Sequence, residues 1–282
     1  MNTFVPFSLN LQGELITFSR PCAMGILNVT PDSFYSNSRT FTGDAISRRA
    51  EELVIAGADM IDIGGYSSRP GADDVDETEE LRRVEAGIEA VRKIAPSIPI
   101  SIDTFRASVA ERSVTELGAN IINDISGGLL DPEMLAVAVR TRAPYIMMHM
   151  RGTPATMQQN TEYNDVTAEV LQWFAEQIAK FSLAGVNDII VDPGIGFSKT
   201  IEGNFELLKH LDMFKILERP ILVGVSRKSM IYKTLDTDPE HSLNGTTVLN
   251  TLALERGASI LRVHDVKEAR EAIQLWEMVN NA

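Results

Sequence analysis

The sequence predicts an α/β protein with the (β/α)8 TIM-barrel fold, and two observations carry this prediction. Short apolar runs rich in β-branched residues recur along the chain, each followed by a polar cluster and a stretch of helical periodicity. Eight such units fit into about 260 residues, which is the count and length of a closed barrel of parallel strands. The alternative is an open doubly wound sheet. No glycine-rich dinucleotide fingerprint follows the first strand, and the even spacing of the units favours closure.

The predicted elements alternate regularly along the chain. The eight apolar runs predict strands over 23–28, 60–64, 98–103, 121–124, 145–149, 189–192, 221–226 and 260–264. Helical periodicity, often closed by a following glycine or proline, predicts helices over 44–55, 77–94, 105–117, 132–140, 165–183, 200–211, 242–255 and 266–279. Because each strand is followed by a helix, consecutive strands are expected to be parallel and joined by helical crossovers.

The residues before the first barrel strand have a different pattern. Residues 3–20 contain two short alternating segments around Gln12-Gly13, which predicts a β-hairpin with a structural role at the bottom of the barrel. No low-complexity segment and no linker rich in proline, glycine or serine divides the chain. We therefore expect residues 1–282 to form one domain.

Composition excludes several classes of function. Lys and Arg number 26 against 39 Asp and Glu, so the net charge is -13 and neither nucleic acid nor a membrane surface is expected as a partner. Cys22 is the one cysteine, which excludes an intrachain disulfide and a cysteine-rich metal site and fits a reducing cytoplasm. Neither a secretory signal nor a transmembrane stretch is expected.

Polar residues fall at the carboxyl ends of the predicted strands, where barrels of this type place their chemistry. A single Asn or Asp there is often only a turn residue, but here polar residues end nearly every strand. Carboxylates and amides suit paired N–H donors, and basic groups suit an anion. We therefore expect the mouth to bind a flat, donor-rich heterocycle that carries a phosphate-like group. The residues are Asn28, Asp103, Asn123, Asp124, His149, Asp192, Ser226, Arg227, Lys228, Arg262 and His264.

Three connections on this side of the predicted barrel are long. Residues 28–44 and 64–76 follow the first two strands and are rich in Gly, Pro, Ser and Asp, so they either close over the mouth or are plain solvated loops. Residues 149–158 form the third long connection. In 226–229, SRKS, Ser229 either opens a helix whose N–H groups bind an anion or is an ordinary capping serine.

From Met24 onward the chain resembles the dihydropteroate synthases of folate biosynthesis. Eight motifs in order carry the resemblance: MGILNVTPDSF (24–34), GGYSSRPG (64–71), SIDT (101–104), NDISGG (123–128), MHMRGTPATMQ (148–158), DPGIGF (192–197), SRKS (226–229) and RVHD (262–265). The family implies a homodimeric barrel, a target of sulfonamides, that uses Mg²⁺. It joins 6-hydroxymethyl-7,8-dihydropterin diphosphate to 4-aminobenzoate and releases diphosphate.

The resemblance also implies roles for individual residues. Asp103, Asn123, Asp192 and Lys228 would hold the pterin ring, on which Arg262 would stack. Asn28, Arg262 and His264 would bind the diphosphate, with Asn28 at the metal. The aminobenzoate site would be formed by Ser68, Arg69, Pro70, Phe197, Lys228 and Ser229. As catalytic residues, it implies Asp103, Lys228, Arg262, His264 and Arg69.

The reaction it implies makes chemical sense for such a site. Diphosphate leaves readily when cations neutralise its charge, and the methylene cation that remains is delocalised into the electron-rich pterin. Asp103 and Asp192 would stabilise that cation, and the weakly basic arylamine needs no strong general base. Loop closure would keep water from capturing the cation.

The chain departs from the family pattern at a few positions. Tyr66 stands where the family usually has Glu in GGESTRPG, and Ser68 stands for Thr. Ser36 and Asn37 occupy the region where SFSDGG is common, and Ser198 replaces a Gly of GFGKT. The positions implied for the ring and the anion are intact, so these departures concern loop behaviour more than the reaction.

Two other functions are compatible with a pterin-binding barrel. A methyltransferase domain of the corrinoid type would share the carboxylate and amide grip, but would need neither SRPG nor SRKS nor RVH. A non-catalytic paralogue would be expected to lack Asn28, Lys228 or His264, and all three are present.

Overall fold

A computed structural model of the chain describes residues 4–30, 43–66 and 75–282. An antiparallel hairpin of β1 (Phe7–Leu11) and β2 (Glu14–Phe18) comes first, with Gln12 and Gly13 both at positive φ in the two-residue turn, as a type I′ turn requires. The eight strands that follow are β3 (Cys22–Asn28), β4 (Met60–Gly64), β5 (Ile100–Asp103), β6 (Ile121–Asp124), β7 (Tyr145–Met148), β8 (Ile189–Asp192), β9 (Leu222–Val223) and β10 (Ile260–Val263).

These eight strands form one parallel sheet that closes on itself. Their hydrogen-bonded order is β8-β7-β6-β5-β4-β3-β10-β9. A parallel bridge between Val191 and Ile221, with the Val191 amide donating to the Pro220 carbonyl at 2.9 Å, joins β8 to the start of β9. The predicted barrel and its N-terminal hairpin are therefore confirmed.

Helices cover the outside of the barrel. In the described residues they are α1 (Gly43–Ile55), α2 (Glu77–Ile94), α3 (Ala107–Thr115), α4 (Met134–Thr141), α5 (Val166–Ala184), α6 (Ile201–Lys209), α7 (Ser229–Tyr232), α8 (Leu243–Glu255) and α9 (Val266–Asn280). Side-chain caps fix several starts: Asp76 accepts from the Glu79 amide and Asp165 from the Ala168 amide, both at 2.9 Å.

The structure corrects some predicted boundaries. The strand predicted over 221–226 pairs regularly only at Leu222–Val223, because the Lys228 amide donates to the Val225 carbonyl and turns the chain. A helix does open at Ser229, as one interpretation of SRKS expected, but α7 is only a single turn. The helix predicted over 200–211 ends at Lys209, before a 3-10 segment over Leu211–Leu217. None of these differences changes the order of the elements.

The core has two main parts, and their arrangement decides which end of the barrel can hold a ligand. The larger part lies between the strands and the helices. The smaller fills the lower barrel interior with Met24, Met60, Ile146 and other strand residues, and Leu9 and Leu11 of the hairpin pack against it. The bottom is thus closed by apolar side chains, which leaves the carboxyl ends of the strands as the open mouth. No helix in the part of the chain that the structure describes is long and apolar enough to cross a membrane.

Candidate active site at the mouth of the barrel

An arginine whose side chain is only 19% exposed joins three strands at the mouth. Arg262 on β10 donates from Nε to Asp62 Oδ2 on β4 at 2.6 Å and from Nη2 to Asp103 Oδ2 on β5 at 2.7 Å. Charge-assisted bonds of this length are among the stronger ones in proteins. Because both bonds hold the guanidinium, its plane is fixed before any ligand arrives. We call Arg262, Asp62 and Asp103 the arginine clamp.

Asp62 is the member of the clamp that the sequence did not reveal. Its side chain is 0% exposed, and its Oδ2 also accepts from Asn123 Nδ2 at 3.0 Å. It lies within β4, between two isoleucines, so a search for polar residues at strand ends does not find it. The signal was present, because a lone carboxylate inside an apolar strand is rarely buried without a purpose. Asp62 thus connects Arg262 to Asn123 on β6.

Two carboxyl groups of the mouth, those of Asp103 and Asp192, are harder to ionise than free aspartates. Burial raises the pKa of Asp103 to about 7, with the Asp62 carboxylate adding to the shift and the Arg262 guanidinium opposing it. Burial likewise raises the pKa of Asp192 on β8, and Lys228 is the first of the groups that oppose this shift. The neighbouring positive charges and hydrogen-bond donors therefore offset only part of the cost of burying the ionised forms of these two acids.

Asp192, Lys228 and Phe197 come together beside the clamp. Asp192 Oδ1 accepts from the Gly194 amide at 2.8 Å. Lys228 donates from Nζ to the Ile195 carbonyl, and its Nζ lies 4.6 Å from the centre of the Phe197 ring. Burial lowers the pKa of Lys228 to about 8, and Asp192 opposes the shift.

Asn28 and His264 occupy the other side of the mouth. A Cβ placed on Gly64 would lie 3.5 Å from Asn28 Oδ1 and 3.8 Å from Asp103 Oδ2, so both side chains border this glycine. Ser226 Oγ lies 3.0 Å from His264 Nδ1 and also accepts from the His264 amide at 3.2 Å. Burial, reinforced by Arg262, lowers the pKa of His264 to about 4. The His264 ring is therefore neutral at pH 7.

Two polar strand-end residues have structural partners instead. Asp124 accepts from the Ser126 amide and hydroxyl and the Gly128 amide, each at 2.7 Å, and from the Tyr145 hydroxyl at 2.5 Å. These bonds stabilise the turn after β6. Arg227 makes a bidentate pair with Asp265, at 2.9 and 2.8 Å. The expectation that all the polar strand-end residues serve a ligand was therefore too broad.

Part of the predicted aminobenzoate site cannot be compared with the structure. Ser68, Arg69 and Pro70, together with Ser36 and Asn37 of the first loop, lie outside the described residues. Ser229 is the first residue of α7 and is half-buried. Among the described residues, no group of three or more His, Cys, Asp or Glu side chains is arranged to hold a metal ion.

Known proteins resemble the chain over nearly its whole length. The family model for pterin binding enzymes matches residues 24–264. The dihydropteroate synthase of Escherichia coli strain K12 is 44% identical over 275 residues, which cover 96% of each chain.

Solved structures agree with this match. The Xanthomonas albilineans dihydropteroate synthase with 4-aminobenzoic acid superposes with a TM-score of 0.90 at 38% identity, covering 98% of each chain. The enzyme from the same organism in complex with 7,8-dihydropteroate superposes with a TM-score of 0.87 at 35% identity, covering 98% of this chain and 100% of that one.

The site geometry predicts which histidines titrate near neutral pH. His264, and His149 whose pKa burial lowers to about 2, should show no imidazole titration between about pH 5 and 8. His241 should titrate, with its pKa raised by the Asp238 carboxylate at 2.9 Å. NMR pH titration of the ring resonances, assigned with His264→Gln and His241→Gln, measures this. A His264 signal that titrates near its ordinary value would mean that the ring is more exposed than the structure shows.

Proposed function

The chain belongs to the dihydropteroate synthase family of pterin-binding enzymes, and we infer from this membership and from the mouth geometry which residues do its work. As a transferase of this family, it joins 6-hydroxymethyl-7,8-dihydropterin diphosphate to 4-aminobenzoate and releases diphosphate. The observation that carries the assignment of roles is the arginine clamp. It fixes the plane of the Arg262 guanidinium between the carboxylates of Asp62 and Asp103. Asp62 also accepts a hydrogen bond from the side-chain amide of Asn123 on β6.

We propose that the pterin ring lies between the clamp and Lys228. Asp192 and Asp103 accept N–H bonds from the ring, Asn123 supplies an amide, and the face of the Arg262 guanidinium packs against it. The raised pKa values of both aspartates support this arrangement, because burial disfavours their ionised forms and N–H donors of a nitrogen-rich heterocycle would stabilise those forms. The same two carboxylates then stabilise positive charge as it develops on the ring during departure of the diphosphate.

The diphosphate is proposed to lie toward Asn28, Arg262 and His264. In the neutral tautomer that carries its proton on Nε2, His264 accepts a hydrogen bond at Nδ1 from the Ser226 hydroxyl and can donate Nε2–H to an anion, and Arg262 adds a fixed positive charge. Both residues lie on or directly after β10, beside Asn28 on β3, so the three converge on one side of the mouth.

We propose Mg²⁺ as the cofactor, and the residues present fit it. Mg²⁺ is commonly bound through one or two protein oxygens together with substrate phosphates and water, so a cluster of protein ligands is not required. The Asn28 side-chain oxygen is a hard donor at the mouth beside Gly64, where a bound diphosphate could complete the coordination. Bound there, the ion would neutralise charge on the leaving group.

The aminobenzoate is proposed to bind at the loop after β8. Phe197 and the stem of Lys228 offer an apolar surface for the arene, and Ser229 lies next in the chain for the carboxylate. Ser68, Arg69 and Pro70 stay assigned to this site from the family pattern. Since sulfonamides also carry a 4-substituted aniline, we propose the same position for them.

A homodimer is the proposed assembly, and the cytoplasm the proposed location. α8 and α9 pack side by side and expose Val248, Leu252, Leu275, Met278 and Val279, each between 48% and 77% exposed. Such an apolar face is typical of protein interfaces, and a second copy of the chain would bury both faces at once.

The buried free thiol of Cys22 is compatible with a reducing compartment, in line with the proposed cytoplasmic location.

Turnover and ring binding test the proposed function together. The purified chain should form dihydropteroate from the two substrates, and Asp192→Asn should weaken pterin binding by about 2–5 kcal/mol, because paired N–H groups lose a buried charge. Calorimetry with a pterin that lacks the diphosphate measures this, with the exposed Asp212→Asn as the matched control. Pterin affinity within about threefold of the wild type would remove Asp192 from the ring site.

Metal removal separates leaving-group chemistry from ring binding. Excess chelator should abolish synthesis, because the diphosphate loses its counter-ion. Affinity for a pterin without the diphosphate should stay nearly unchanged, because the ring contacts come from Asp192, Asn123 and Lys228. Adding back Mg²⁺ should restore turnover. Full turnover in excess chelator would contradict a role for the metal.

The dimer face can be tested by charge. Leu252→Glu with Leu275→Glu should shift the sedimentation coefficient from that of a dimer to that of a monomer, because two exposed apolar side chains become charged on the face that is shared. Leu183→Glu is the control, since Leu183 is 90% exposed at the end of α5. A wild type that sediments as a monomer would contradict the homodimer.

A further inference from the structure

The loop after β8 is pressed closely between two neighbours. Gly194 has φ +69°, and a Cβ there would lie 2.0 Å from the His149 carbonyl oxygen at the end of β7. Gly196 has φ +90°, and a Cβ there would lie 2.8 Å from Lys228 Cδ. Glycine is needed at both positions because the neighbouring atoms leave no room for a Cβ and because the positive φ angles disfavour other residues. The loop is therefore packed against both the end of β7 and the Lys228 side chain.

One buried amino group fastens this loop. Lys199, at the end of the loop, is 4% exposed. Its Nζ donates to the Phe197 carbonyl at 3.0 Å, to the Gly194 carbonyl at 3.1 Å and to the His149 carbonyl at 3.4 Å. It also lies 3.1 Å from His149 Nδ1. We call this set of contacts the lysine latch.

The residue before it reinforces the same junction. Ser198 has φ +47°, a conformation that favours glycine, and its side chain is fully buried. Its Oγ accepts from the Arg151 amide at 2.9 Å, so a second bond joins the loop to the segment after β7. Arg151 is held in turn by Glu169 at 2.6 Å.

Keeping an amino group in this interior is unfavourable on its own. Burial lowers the pKa of Lys199 to about 7, and the positive charges of Lys228 and Arg151 add to the shift while Asp192 opposes it. Buried polar groups are tolerated when they are fully hydrogen-bonded, and here every acceptor belongs to the loop or to His149. The hydrogen bonds of the Lys199 amino group therefore stabilise the conformation of the loop.

The loop carries groups that matter for the reaction. The Ile195 carbonyl accepts from Lys228 Nζ, and the Phe197 ring lies 4.6 Å from the same atom. Asp192 lies at the end of β8, which pairs with β7 through Met148, and its Oδ1 also accepts from the Gly194 amide at the start of the loop. Lys228 lies outside the loop, directly before α7. Loosening the loop would thus move Phe197, which lies within it, more than Asp192 or Lys228.

We propose that Lys199 is a positioning residue that, through the lysine latch, fixes the loop after β8 so that Phe197 forms the aminobenzoate surface beside Lys228. The proposal rests on the proposed function, because it assigns that surface to 4-aminobenzoate.

The test compares Lys199→Met with Lys209→Met, an exposed lysine at the end of the following helix. In Lys199→Met, KM for 4-aminobenzoate should rise about tenfold or more, with kcat and the Kd of a diphosphate-free pterin changed by less than about threefold. Lys209→Met should match the wild type in all three. If Lys199→Met does not fold, Lys199→Gln keeps a polar group in the same position and gives the same comparison.

The outcomes are distinct. An unchanged KM for 4-aminobenzoate, or a parallel loss of pterin and aminobenzoate affinity, overturns the positioning role. A wild-type chain without turnover overturns the proposed function instead. A selective rise in KM with the pterin Kd retained supports the latch, because general destabilisation would weaken both ligands together.

Discussion

The site depends on one constraint, the burial of the Arg262 charge within a barrel whose lower half is filled by apolar side chains. A buried guanidinium is tolerated only where carboxylates pair with it and its donors are satisfied. Asp62 and Asp103 meet that demand from two other strands, which brings β4, β5 and β10 into one unit. Asn123 joins this unit through Asp62. The strands that build the barrel are thus also the elements that orient the charges at its mouth.

The sequence predicted the architecture well because parallel strands share one edge. Once eight strand–helix units are recognised, Asp103, Asn123 and Asp192 must end on the same side. The rule is less informative about single residues, because successive side chains on a strand face opposite ways. Asn123 and Asp124 are adjacent, and the structure gives the first to the mouth and the second to the turn after β6. The sequence did not reveal Asp62 and Lys199, because Asp62 lies inside a strand and Lys199 lies inside a loop.

The departures from the family pattern are accommodated locally. Ser198 takes a left-handed conformation at a position where the family usually has glycine, and its hydroxyl gains a bond to the Arg151 amide. Tyr66, where the family usually has Glu, packs edge-on against Phe105 with ring centres 5.1 Å apart and lies 5.4 Å from the Arg106 guanidinium. At these two positions the replacing side chains therefore have packing or hydrogen-bond partners of their own, while Arg262 keeps its bonds to Asp62 and Asp103.

The shifted pKa values explain why such a site should be more stable when filled. Asp103 has a folded-state pKa of about 7 against an ordinary value of 3.8. An acid shifted upward favours the folded state below its ordinary pKa, and that contribution is lost as pH rises through the folded pKa. Near pH 7 the Asp103 carboxyl is therefore divided between its protonated and ionised forms, and the neighbouring groups offset only part of the cost of burying the ionised form. A ligand that donates N–H groups to the acids of the mouth and places an anion against Arg262 would stabilise the negative and the positive charges of the mouth together. Because such a ligand binds the folded state, its binding would also raise folding stability through the same residues.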